Sequence, residues 1–137
     1  MGTDSSSSYK QIFYPMIFDM DPRGRLSTKS LFNFMQGTAD RHSRSLGTSL
    51  DDFVDKGYTW VYARYFVRFL RDPVPYKPVT VETWRSRASG IMALREFRIM
   101  DDTGEMALAT SSLALIDRKT RKPVPIPEEI QKQFAGH

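Results

Sequence analysis

Two carboxylates in this sequence stand where a carboxylate can do chemistry. Asp21 sits in Asp19-Met-Asp21-Pro-Arg-Gly24, immediately ahead of the one stretch that reads as a long helix. The free N–H groups at a helix start favour negative charge. A carboxylate beside them can activate water, or attack an electrophilic carbon itself, next to donors for the resulting oxyanion. The same residue has a plainer role open to it, because an Asp before Pro-Arg-Gly shapes a turn by accepting backbone N–H groups. Asp40 is the second carboxylate. It lies four residues after Gln36, with Asn33 a turn earlier, so the three form a polar line along one helical row. That line faces either a pocket or, together with Arg44, the solvent.

Other residues belong to this inventory with competing roles. His42 falls on the apolar stripe of the helix, where a histidine is first a core group hydrogen-bonded to backbone and only second a base. Arg64 and Arg95 fall inside strands and are expected half-buried and paired with acids, substrate contact being the other role. Arg118, Lys119, Arg121 and Lys122 crowd one turn that is either solvated or meets an acidic partner or a phosphate.

These groups need elements to hold them. Leu31, Phe34, Met35, Ala39, His42 and Leu46 recur at helical spacing, which predicts a helix over residues 27–47, capped by Ser27 or Thr28 and ended by Gly47. Before it, residues 9–20 read as an edge or irregular strand interrupted by Pro15. After it, Ser49-Leu-Asp-Asp-Phe-Val starts like a short helical turn ending at Gly57. Residues 58–70 alternate as a central strand, with Trp60, Tyr62, Arg64, Phe66 and Arg68 on one face and Val61, Ala63, Tyr65, Val67 and Phe69 on the other. Further strands are expected at 79–88, 91–100 and 106–116, the last two joined by a hairpin at Asp101-Asp-Thr-Gly104. A proline-spaced VPIPEEI leads into a short helical tail. The order predicts an α+β layer fold, one helix beside an antiparallel sheet that curls around it. One helix covers such a sheet poorly, so two sheets joined edge to edge, a homodimer, are expected.

Composition narrows the function classes. At 137 residues with 40% hydrophobic content the chain suits one domain over residues 9–137, preceded by a flexible 1–8. It has no cysteine, which removes disulfides, thiolate metal sites and a cysteine nucleophile, and its two histidines argue against a histidine metal site. No metal or other cofactor is called for. Apolar runs are far shorter than the roughly 20 residues of a membrane span, and a cytoplasmic location is expected. The net charge of +4 favours an acidic partner, but no nucleic-acid motif appears.

Taken together, LFNFMQGTADRHSRSLG, GYTWVYARYFV, VTVETW, LREFRIMDDTGE and LALIDRKTRKPVPIPEEI resemble, in order and spacing, the fatty acyl-ACP thioesterases of the hotdog-fold superfamily. The resemblance is to the first of that family's two tandem hotdog repeats. It implies a single hotdog fold and a hydrolase of acyl-ACP or acyl-CoA in fatty acid metabolism. It further implies a homodimer, or a dimer of dimers, in place of the tandem pair, and acyl carrier protein as a further partner. In related single-domain acyl-CoA thioesterases the Asp of a DxDxxG turn is the catalytic carboxylate, which Asp21 fits. Other subgroups carry the acid on the helix, which makes Asp40 the second candidate. Asn33 and His42 match positions of the family's first-repeat helix, which implies that they order the pocket or the helix; with Gln36, Trp60 and Arg64 from the reading of the residues they make up the expected substrate-side set. The family's second repeat follows its Asp with Asn and His; here Arg23 and Arg25 stand in those places, so those two roles do not carry over. A noncatalytic module that binds acyl chains or carrier protein is the alternative.

Overall fold

A computed structural model describes residues 8–49, 52–53, 55–72, 74 and 76–133. In chain order the elements are β1 (Ser8–Phe13), a 3-10 turn (Ile17–Asp19), α1 (Thr28–Ser45), β2 (Tyr58–Phe69), β3 (Val79–Ser89), β4 (Met92–Asp101), β5 (Gly104–Asp117), β6 (Pro123–Val124) and α2 (Glu128–Gln131). The strands form one antiparallel sheet in the order β1-β3-β4-β5-β2, with β6 on β5. A single long helix against this sheet is the hotdog arrangement. Of the segment expected to be flexible, Ser8 already pairs with Trp84 in the sheet, and residues 1–7 lie outside the described residues.

The helix forms where its periodicity puts it. Ser27 Oγ accepts the Ser30 N–H at 3.1 Å and closes the first turn. At the other end Thr48 N–H donates to Ser43 O and Gly47 N–H to Arg44 O, with Gly47 at φ 74°, a Schellman stop. Leu31, Phe34, Met35 and Ala39 form the buried stripe and pack on Val79, Val81, Phe97, Ile99 and Ala109 of the sheet's concave face. A second cluster, Phe53, Ala88, Ala93, Leu115, Ile126 and Ile130, closes the other end under the C-terminal segment. The turn expected after Ser49 is present at Asp52 and Phe53: Ser49 N–H donates to Asp52 Oδ2 at 2.8 Å while Asp52 N–H donates back to Ser49 Oγ. Leu50, Asp51 and Val54 of that stretch lie outside the described residues.

Three expectations about the strands are corrected. β2 is an edge strand, not a central one, because among the described residues it pairs with β5 alone; the chain crosses the sheet after β2 and starts β3 beside β1. The four later strands lie side by side as β3-β4-β5-β2 rather than in chain order, so of them β3-β4-β5 form a meander. Nor does β2 keep one alternation throughout. Tyr62 faces Leu113 and Arg64 faces Ser112, so Ala63 is an extra residue, a bulge that flips the phase. Before it Trp60 and Tyr62 turn inward, and after it Tyr65 and Val67 do, which leaves Arg64 exposed on the outside rather than half-buried.

Candidate functional site

The two core clusters do not fully meet, and between them lies a cavity of about 460 Å³. Its helical wall is the second half of α1, from Gln36 to Ser43, and includes Asp40. Trp60 and Tyr62 of β2, Ala93 of β4 and Leu113 of β5 supply sheet-side walls. Thr48 and Ser49, just past the helix stop, close one side. Trp60 is fixed by its indole N–H, which donates to Thr48 O at 3.2 Å, and by Phe53 against its ring.

Of the sequence-derived candidates, the cavity brings together Gln36, Asp40 and Trp60. Asp40 Oδ2 accepts from Arg44 Nε at 2.9 Å, the i,i+4 pair of the helix surface, with its side chain 44% exposed. Asn33 is exposed one row earlier and does not line the cavity. Arg64 is on the outside of the sheet. His42 is buried, 2% exposed, with its ring stacked on Tyr9. Its Nδ1 lies 3.0 Å from Arg95 Nη1. An arginine can only donate, so Nδ1 is the acceptor and the imidazole is the neutral tautomer with its hydrogen on Nε2. His42 thus supports Arg95 from behind the wall.

Asp21 is elsewhere. Its Oδ1 accepts the N–H of Arg23 at 2.8 Å and of Arg25 at 3.0 Å, while its own N–H donates to Arg25 O. The Arg25 N–H above all holds its carboxyl below the usual carboxylate range. Gly24 at φ 79° completes this tight loop. Asp19 braces it to the helix, taking Ser30 Oγ at 2.8 Å. From the start of α1 to Asp40 is twelve residues, roughly 18 Å of helix, so within one chain Asp21 and Asp40 cannot serve the same bond.

Sequence reasoning missed Arg85, and it expected Arg95 to be half-buried and paired with an acid. Arg85 of β3 and Arg95 of β4 both line the cavity, each 3% exposed. Burial, and then the neighbouring Arg95 charge, lowers the Arg85 pKa to about 9, and burial lowers that of Arg95 as well. Burial raises the Tyr62 pKa and keeps its phenol protonated. The signal was present in the sequence: Arg85 continues the inward row of Val79, Val81 and Thr83, and Arg95 that of Phe97 and Ile99.

A concave antiparallel sheet around one helix, with a cavity of mixed polar and apolar walls beside that helix, defines a hotdog-fold domain. The chain belongs to the acyl-ACP thioesterase family, whose N-terminal domain model it matches over residues 6–134. It is 31% identical over 135 residues to a chloroplastic palmitoyl-acyl carrier protein thioesterase of Gossypium hirsutum, covering 92% of this chain and 32% of that one. The crystal structure of an acyl-ACP thioesterase from Bacteroides thetaiotaomicron superposes with a TM-score of 0.90 at 25% identity, over 100% of this chain and 56% of that one. A 1,4-dihydroxy-2-naphthoyl-CoA thioesterase from Synechocystis shares the fold, with a TM-score of 0.81 at 15% identity over 93% of this chain and 95% of that one. The chain spans about a third of the length of the curated relatives it matches.

Proposed function

We propose that this chain is an acyl-thioester hydrolase, taking acyl-ACP or acyl-CoA and working as a homodimer, with Asp40 as the carboxylate that activates water or attacks the thioester carbon. The observation that carries this reading is Asp40 on the wall of a cavity that also has Trp60, Ala93 and Leu113 for apolar contact, in a chain of this family. The Tyr62 phenol on the same wall is a donor for the oxyanion. Asp21 is the second candidate, and the N–H groups at the start of α1 would then be the donors. The exposed turn carrying Arg118, Lys119, Arg121 and Lys122 suits an acidic carrier protein.

Purified protein assayed on acyl-ACP and acyl-CoA over a range of chain lengths tests the reading. Asp40→Asn is expected to lower kcat by about 100- to 10,000-fold. Asp21→Asn keeps an oxygen that can accept the Arg23 and Arg25 N–H groups, and is expected to stay close to wild type. The opposite pattern assigns the chemistry to Asp21. A wild-type protein that binds acyl carrier protein but hydrolyses nothing supports the second reading, a noncatalytic hotdog module. Arg23 and Arg25, in the places of the Asn and His of the family's catalytic repeat, favour that second reading.

A further inference from the structure

The inner wall of the cavity carries positive charge that hydrolysis by Asp40 does not use. Arg85 and Arg95 are cross-strand partners, directly opposite in register on the concave face. Like charges so placed repel, and on a buried face water screens them little. Each sends Nη2 to the same hydroxyl, Ser43 Oγ, at 3.1 and 3.2 Å, so the two guanidiniums lie side by side. Arg85 also donates to Thr48 Oγ1 and Gln133 Oε1. Arg95 donates further to His42 Nδ1 at 3.0 Å and Thr83 Oγ1 at 3.1 Å. Its three partners are all neutral. Among the described residues no carboxylate oxygen comes within 4.0 Å of the Arg95 guanidinium. Asp40, on the same cavity wall, is bonded to Arg44 and partly in solvent, so it does not neutralise Arg95. A guanidinium buried among neutral groups is costly unless an anion joins it.

We propose that this cavity is a carboxylate site: Arg85 and Arg95 receive the headgroup of a carboxylic acid whose compact apolar body lies against Trp60, Ala93 and Leu113. A planar carboxylate matches the guanidinium fork, and paired forks favour it over a neutral head. The volume of about 460 Å³ is that of a small-molecule pocket. A phosphate on a long polar arm would leave the apolar walls uncovered. The carboxylate has two sources, a free acid such as thioester hydrolysis releases, or an acyl chain that bears a carboxylate at its far end. Binding does not depend on hydrolysis, so this site can stand if the chain proves noncatalytic.

Calorimetric titration of the whole chain with octanoate, monomethyl suberate, octan-1-ol and octyl phosphate is the test. At least one of the two acids should bind about ten-fold or more tighter than the alcohol of matching length. Preference for octanoate identifies the free acid, and preference for monomethyl suberate the far-end carboxylate. Arg85→Gln should weaken the acid by about ten-fold and leave octan-1-ol unchanged, with Arg85→Lys between them, because a point charge replaces the fork. Wild type alone decides the matter if a variant fails to fold. Octan-1-ol binding as tightly as both acids, octyl phosphate binding more tightly than either, or no binding by any of the four overturns the proposal.

Discussion

Asp101 closes the far end of the sheet through one arginine. Arg71 Nη1 donates to its Oδ2 at 2.9 Å, and Nη2 donates both to Oδ1 and to Gly104 O, the latter at 2.9 Å. Thr103 adds its N–H and hydroxyl to Oδ1. The carboxylate is 2% exposed, and the Arg71 bonds hold its pKa far below the usual range. Asp101→Asn leaves Arg71 without its anion and should cost about 1–3 kcal/mol in urea unfolding. Because the folded pKa lies below the unfolded value of about 3.9, this stabilisation is fully present above that pH and disappears as pH falls through the folded value. Wild type should therefore lose stability more steeply than Asp101→Asn on acidification below about pH 4. At this scale the sequence was only partly legible. The polar line on the helix left pocket and solvent both open, and Gln36 and Asp40 line the cavity while Asn33 is exposed, whereas the partners of the arginines depended on contacts distant in the chain. Arg95 is bonded to His42 and Ser43 of α1 and among the described residues meets no acid, although pairing with an acid was the expectation for a strand arginine.

Elements were more legible than the register between them. The long helix, its Ser27 cap and its Gly47 stop follow from local rules that one segment satisfies by itself. Gly47→Ala tests the stop: at φ 74° an added Cβ meets nothing within 4 Å among the described residues, so the penalty there is conformational. It should cost about 1–2 kcal/mol, read as a lowered Tm, without altering the cavity. The Ala63 bulge lies beyond such rules, since VYARYFV alternates smoothly and nothing local marks an extra residue. What fixes it is the partner strand. Tyr62 must turn inward over Leu113, and three residues on, Tyr65 must turn inward against Phe32 and Phe97. Deleting Ala63 restores strict alternation and forces one of these inward sets outward. The deletion should lower Tm far more than Ala63→Gly does, and circular dichroism across a thermal ramp separates the two.

The whole molecule ends on two unlike edges. β1 is six residues long and stops before Pro15, whereas β2 presents twelve residues along an edge bonded, among the described residues, only to β5. Val61, Phe66, Phe69 and Leu70 are exposed along β2 and just past it. An edge this long with apolar flanks is a template for another strand, which is the physical basis for the proposed homodimer. If two copies join through β2, light scattering on the eluting protein should give twice the chain mass. Amide exchange should add the location. N–H groups of β2 that β5 leaves free should become protected as protein concentration rises, while those of β1 stay unchanged, because only the joined edge gains partners. A monomer mass at every concentration, with β2 exchange independent of concentration, would remove the dimer and leave Asp40 and the cavity to work within a single chain.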